Sequence, residues 1–150
     1  VHAKSRDNAR TPMQWDAGPN AGFTTGTPWI KVNPNYMEIN VEQALADPNS
    51  VFYYYRELIQ LRKANPVIVH GAYDLLLDDD EAIYAFTRTL AHDRLLIILN
   101  FTGDTPVFSL PGDLKFSGKA LLISNYPVDE AQPLRAMTLR PYEARVYRLT

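Results

Sequence analysis

The spacing of apolar positions changes twice along the chain. Over the first 46 residues no period of 3.6 or 2 is sustained, and turn clusters recur instead, at Asp16-Ala17-Gly18-Pro19-Asn20, Gly26-Thr27-Pro28 and Asn33-Pro34-Asn35. Phe23, Trp29, Ile30 and Tyr36 lie between them, so this long loop must rest against something apolar. Asn40 is placed to cap a short helix over 41–46. Asp47-Pro48 is a stronger helix start, with Asp at the N-cap and Pro at the first helical position, where its missing N–H costs nothing. Beyond it Val51, Tyr54, Tyr55, Leu58, Leu61 and Arg62 recur at i, i+3, i+4 and i+7, which predicts a helix to about Ala64, ended by Asn65-Pro66. Successive helical residues point about 100° apart, so Tyr53, Tyr54 and Tyr55 do not line one sugar-stacking face, and core packing is the better reading.

After Pro66 the pattern becomes one of short β-rich runs between turn residues. The segments 67–69, 72–77, 83–90, 95–101, 107–110, 120–124, 137–139 and 144–149 read as strands, with Asp78-Asp79-Asp80-Glu81 and Ala91-His92-Asp93 at hairpin tips. Ile83, Ala85 and Thr87 alternate with Tyr84, Phe86 and Arg88. Leu95-Leu96-Ile97-Ile98-Leu99 is apolar throughout, which places it as a central strand covered on both faces. Eight short strands at this spacing predict an antiparallel β-sandwich.

Composition narrows the function classes. At 150 residues the chain is about one domain long, and 46% hydrophobic with 21% charged residues is the balance of a folded, globular protein. The net charge of −2, with both signs interspersed, offers no basic face for a phosphate backbone, so no nucleic-acid partner is expected; no segment has the apolar length of a membrane span. The absence of cysteine removes disulfides and thiolate metal sites and fits a reducing cytoplasm. Val1-His2-Ala3-Lys4 has neither an apolar signal region nor an initiator Met, so the chain is expected to begin inside a longer protein.

Candidate chemistry concentrates in Ser5-Arg6-Asp7-Asn8-Ala9-Arg10-Thr11-Pro12-Met13-Gln14-Trp15-Asp16, which packs guanidinium, carboxylate, amide and indole groups into one aperiodic loop. Thr11-Pro12 should stop any turn begun at Arg6. Arg6 and Asp7 as a solvated pair with Trp15 as an anchor is one reading; a ligand-facing loop, whose Arg forks suit hydroxyls or a carboxylate, is the other. Elsewhere the run 78–81 lacks the alternating ligands and Gly of a calcium loop, and His2, His70 and His92 are scattered, so no metal site and no cofactor are expected.

The run from Ser5 to Trp15, with Ala21-Gly22-Phe23-Thr24-Thr25-Gly26, Pro28-Trp29-Ile30, Phe52-Tyr53-Tyr54-Tyr55, Leu61-Arg62-Lys63, Asn100-Phe101-Thr102, Asn125-Tyr126 and Leu139-Arg140-Pro141-Tyr142-Glu143-Ala144, resembles the C-terminal part of oligo-1,6-glucosidase and α-glucosidase-type enzymes of glycoside hydrolase family 13, the α-amylase family. The resemblance implies that residues 1–65 end a catalytic (β/α)₈ barrel, contributing an active-site loop and the last helix, and that 66–150 form a C-terminal antiparallel β-sandwich. It implies a retaining, exo-acting parent that hydrolyses terminal α-glucosyl bonds of oligosaccharides. The catalytic carboxylates of the family match no position here, so no catalytic residue is assigned and the fragment alone is expected to be inactive. Arg10 matches the arginine that binds the non-reducing-end glucose, and is the one substrate-binding residue expected. Arg6 and Asp7 are expected to hold the loop, by pairing with each other or with Gln14. In the segment 139–144 a turn is expected, with Tyr142 packed and Arg140 and Glu143 solvated or paired. Two alternatives remain: a sandwich that itself binds carbohydrate, and one that only packs against the barrel. The first needs exposed aromatics in a row on one sheet face, whereas Tyr73, Tyr84, Phe86 and Phe108 mostly fall where alternation demands core.

Overall fold

The computed structural model describes Arg6 to Thr150, without the side chains of Arg6 and Asn8. It divides into two compact units, one ending at Ile59 and the other running from Gln60 to Thr150.

The first unit is mostly loop, with 3-10 turns at Arg6–Ala9, Pro19–Gly22 and Pro34–Met37, then helix α1 (Val41–Ala46) and the start of helix α2 (Val51–Ala64). Asn40 caps α1 as its sequence position implies, its side chain accepting from Gln43 N–H at 2.9 Å. Asp47-Pro48 does not open α2. Asp47 is instead the extended residue that closes α1; its carboxylate accepts from Asn49 N–H (2.9 Å) and its carbonyl from Ser50 N–H (3.0 Å), making a local turn. Helix α2 starts one turn later, where the Ser50 carbonyl accepts from Tyr53 and Tyr54. No residue of α2 is buried, so the core packing expected of its tyrosines is not made within the described residues. An amphipathic stripe shows that a face needs cover, not that the cover lies in the same chain.

The second unit holds the end of α2, helix α3 (Pro66–His70) and strands β1 (Ala72–Leu75), β2 (Ile83–Leu90), β3 (Asp93–Asn100), β4 (Val107–Ser109), β5 (Lys119–Ser124), β6 (Ala136–Thr138) and β7 (Ala144–Leu149). The strand expected at 67–69 is α3. Pro66 sits at its first turn after an extended Asn65, and Val67 is buried, so tertiary packing overrides the strand preference of three β-branched residues. Asn65 joins the pieces: its amide donates to Leu61 O at 2.7 Å at the end of α2, and its oxygen accepts from Arg148 on β7.

The strands form an antiparallel five-stranded sheet in the order β1-β2-β3-β7-β5 and a two-stranded sheet β4-β6. The apolar run 95–99 lies in the middle strand, β3, where no residue is exposed. Between the sheets Ile83, Ala85, Leu96, Ile98 and Tyr147 meet Phe108 and Met137 in the core. Of the four aromatics expected in core positions only Phe108 is there. Tyr73, Tyr84 and Phe86 lie on the opposite face, because β2 alternates with Ile83, Ala85 and Thr87 inward.

The turn at 139–144 forms with Arg140 and Glu143 paired, as expected, but Tyr142 is not packed. Tyr142 is exposed, in a left-handed conformation at φ 55°, and Glu143 has no exposed surface at all. The Glu143 carboxylate accepts from Arg140 N–H (2.7 Å), Arg140 Nη2 (2.9 Å) and Arg145 Nε (2.8 Å). Arg145, itself buried, continues to Gln132 at 2.9 Å, and the half-exposed Arg140 stacks on the Tyr126 ring at 4.4 Å. Asn100 donates to the Arg140 and Asp104 carbonyls (2.8 and 2.9 Å), and Asn125 clamps Tyr142 O and Ala144 N–H at 2.8 Å each. Three separated sequence words, at 100–102, 125–126 and 139–144, thus close one end of the sandwich as a single polar network. Burial pushes the Glu143 carboxyl up, but the bonds from Arg140 and Arg145 outweigh it and bring it down from 4.5 to about 2.

Candidate substrate-binding loop

The loop that carries Arg10 is held by its own polar groups. The turn Arg6–Ala9 ends before Thr11-Pro12, and Arg10 N–H donates to Asp7 O at 3.1 Å. Pro12 is buried and anchors the segment after it. The carbonyls of Gln14 and Trp15 then accept from Val41 and Glu42 N–H (2.9 and 3.0 Å), the first-turn donors of α1 that Asn40 does not satisfy. The Gln14 side chain reaches Asn35 at 3.0 Å and the Ile39 carbonyl, which ties the loop to the same helix from the other side.

Asp16 organises the next bend. Its Oδ1 accepts from Gly18 N–H at 2.7 Å, and the carbonyl of the fully buried Ala21 accepts from both Trp15 and Asp16 N–H. Asn20, Ala21 and Gly22 are left-handed in succession (φ 53°, 57° and 66°), a conformation that costs about 1–2 kcal/mol at a non-glycine residue. Asn20 offsets part of this by donating to Thr24 and Gly26 O at 3.0 Å each. A Cβ at Gly22 would stand 2.3 Å from Asp16 Oδ2, so glycine is required there by space as well as by φ.

This frame opens a cleft of about 330 Å³ lined by Arg10, Thr11, Pro12, Met13, Phe23, Trp29 and Ile30. Among the described residues Arg10 is the only ionisable group on its wall. Its side chain is 57% exposed, with Nη1 3.6 Å from Asp7 Oδ1, a pair loose and wet enough to add little to stability. The guanidinium therefore keeps donors for another acceptor. Trp29 is 96% exposed. Chemically, the cleft combines a planar cation with aromatic and apolar walls, a surface suited to a hydroxylated ring.

The sequence-expected residues divide clearly. Asp7 pairs with Arg10 rather than Gln14, which is engaged with Asn35 and Ile39. The expected role of the Arg6 side chain, and the reading of His2, fall outside the described residues. At the 78–81 tip Asp80 accepts from Ala82 and Ile83 N–H (2.9 and 2.8 Å), a turn-forming use of its carboxylate. The roles of Asp16 and Asn20 as frame residues escape sequence reading, since nothing local announces consecutive left-handed residues apart from Gly22. Among the described residues no helix is long and apolar enough to cross a membrane.

Residues 1–71 match the family model of the α-amylase catalytic domain. An oligo-1,6-glucosidase of Parageobacillus thermoglucosidasius is 62% identical over 149 residues, covering 99% of this chain and 26% of that protein. The crystal structure of the Bacillus licheniformis trehalose-6-phosphate hydrolase superposes with a TM-score of 0.92 at 49% identity, over 99% of this chain and 27% of that one. An isomaltulose synthase from Klebsiella gives a TM-score of 0.87 at 41% identity, over 97% and 26%. The chain thus spans about a quarter of the length of the relatives it matches. Along nearly its whole length it is similar to a contiguous part of the oligo-1,6-glucosidase-type enzymes of glycoside hydrolase family 13, the α-amylase family.

Proposed function

We propose that this chain is the C-terminal part of a retaining, exo-acting α-glucosidase of the oligo-1,6-glucosidase type, comprising the end of the barrel over 1–65 and a sandwich domain over 66–150. Retaining hydrolysis uses one carboxylate as nucleophile and a second carboxyl as acid and then base, about 5 Å apart, and requires no cofactor. In this chain Asp16 is committed to the Gly18 bend, and by the resemblance to the family the two catalytic carboxyls are assigned to the barrel upstream. The chain's contribution is Arg10, which donates to hydroxyls of the terminal glucose of an α-glucosyl oligosaccharide. A cytoplasmic location fits the absence of cysteine.

The observation that carries this reading is the Arg10 guanidinium, open to its cleft on a loop otherwise pinned to α1. In the full-length enzyme Arg10→Ala should lower kcat/KM for a disaccharide by roughly 30- to 1000-fold, the cost of leaving a buried acceptor without a charged donor. Arg10→Lys should recover part of it, since one ammonium lacks the parallel donors. The melting temperature should barely move, because Arg10 makes only the loose pair with Asp7 that its exposure allows. Near-normal turnover, or a loss explained entirely by unfolding, would remove Arg10 from the substrate site.

A further inference from the structure

The chain carries a net charge of −2, yet one end of the sandwich gathers basic groups with no acid among them. The strand register sets Thr89 of β2, Arg94 of β3 and Leu149 of β7 in one row across the five-stranded sheet. Arg94 shares the inner face with Leu96 and Ile98, so it stands just beyond the core and is half-buried. The loop from Gly112 to Gly118 comes over this row. Phe116 packs against the core, and the Ser117 and Gly118 N–H groups donate to Thr150 O, the second at 3.0 Å. What stays open is a cleft of about 270 Å³ whose wall brings together Arg94, Lys115 and His92 with Thr89, Thr150 and Phe116.

Among the described residues no Asp or Glu lines this cleft. Strand alternation turns Asp93, the neighbour of Arg94, to the other face, where it pairs with Arg148 at 3.0 Å. The Arg94 guanidinium makes one hydrogen bond, from Nη1 to the Lys115 carbonyl at a long 3.4 Å, and Lys115 Nζ donates once, to Gly112 O at 2.7 Å. Most of the guanidinium fork and part of the ammonium are thus left without acceptors among the described residues, beside a further donor in the exposed His92 imidazole. Cations grouped without a counter-charge repel one another, and an anion between them reverses the sign. A carboxylate is satisfied by one guanidinium fork. A phosphate group offers a third oxygen and more negative charge, which matches a fork, an ammonium and an imidazole N–H around one space. We propose that this end of the sandwich binds a phosphate group, as the free ion or on a small ester, with Arg94 and Lys115 as its principal donors and His92 as a third. The site lies wholly within the unit from Gln60 to Thr150 and shares no residue with the Arg10 cleft, so it stands independently of the sugar reading there.

Calorimetric titration of inorganic phosphate and of phenyl phosphate into the full-length protein, near neutral pH with chloride balancing the ionic strength, tests this. Binding should saturate with a Kd at or below about 10 mM. Arg94→Gln and Lys115→Gln should each weaken it by about tenfold or more, the effect of one lost charge-assisted hydrogen bond. Arg135→Gln removes the same charge from an exposed residue outside the cleft and should leave the affinity unchanged. The melting temperature of each variant in chloride is read beside its titration. Lys115 bonds only within its own loop, so Lys115→Gln supplies a folded variant should Arg94→Gln prove unstable. Tighter binding of phenyl phosphate assigns the cleft to an ester whose substituent rests on Phe116, and equal binding assigns it to the free ion. Absence of saturation, an affinity that survives Lys115→Gln, or a loss as large for Arg135→Gln overturns the proposal.

Discussion

Glu143→Gln should destabilise the 150-residue chain by about 3–5 kcal/mol, the cost of breaking a buried ion pair from one side. The carboxylate accepts from Arg140 N–H, Arg140 Nε and Nη2, and Arg145 Nε, and has no exposed surface. Glutamine keeps one oxygen and replaces the other with an NH₂, so either Arg140 or Arg145 would face a donor. Arg145, with 4% of its side chain exposed, would also keep its charge without compensation. A second route gives a similar figure. Lowering the Glu143 carboxyl from 4.5 to about 2 corresponds to about 3 kcal/mol at 1.36 kcal/mol per unit.

Urea denaturation followed by far-UV circular dichroism measures this as a lower midpoint at unchanged slope. The pH profile supplies a sharper check. The folded-state value is depressed, so the contribution of Glu143 is complete above about 4.5, shrinks as the unfolded chain takes up a proton, and is lost as pH falls through about 2. The stability curves of wild type and Glu143→Gln should therefore converge over that interval. A difference below about 1 kcal/mol at neutral pH, or curves that stay parallel down to the lower limit, would show that the network is not held by this charge.

Gly22→Ala should destabilise the first unit by about 1–3 kcal/mol, because φ is +66° and the new Cβ would stand 2.3 Å from Asp16 Oδ2. Thermal unfolding followed by the fluorescence of Trp15 and Trp29 reads this, and an unchanged transition would mean the bend is not as tight as its geometry. The isolated 150-residue chain should release no glucose from isomaltose, since a loop that grips one end of the sugar cannot replace two missing carboxyls. Turnover by a contaminant-free preparation would refute that assignment.

The sequence by itself determined the elements whose signals are local. Asn40 caps α1 because its own side chain reaches the N–H three residues on, and β2 and β7 follow alternation that sterics alone impose. The candidate site was partly legible for the same reason: Arg10 stands in a recognisable run of residues, whereas the frame of Asp16, Asn20 and Gly22 depends on where the backbone turns left-handed. Tertiary structure decided the remainder. The β-branched run at 67–69 became α3 because Val67 is buried against the rest of its unit, a gain larger than the strand propensity it opposes. Sequence leaves Arg140 and Glu143 as solvated or paired, since the partners Arg140 and Arg145 are near in the chain, whereas the complete burial of Glu143 that makes the pairing matter is a property of the folded unit. For Tyr84 and Phe86 the alternation was visible, yet which of two apolar faces turns inward depends on where Phe108 and Met137 pack. Local sequence sets the direction of a side chain relative to its neighbours; only the packing of elements far apart in the chain decides which direction is the inside.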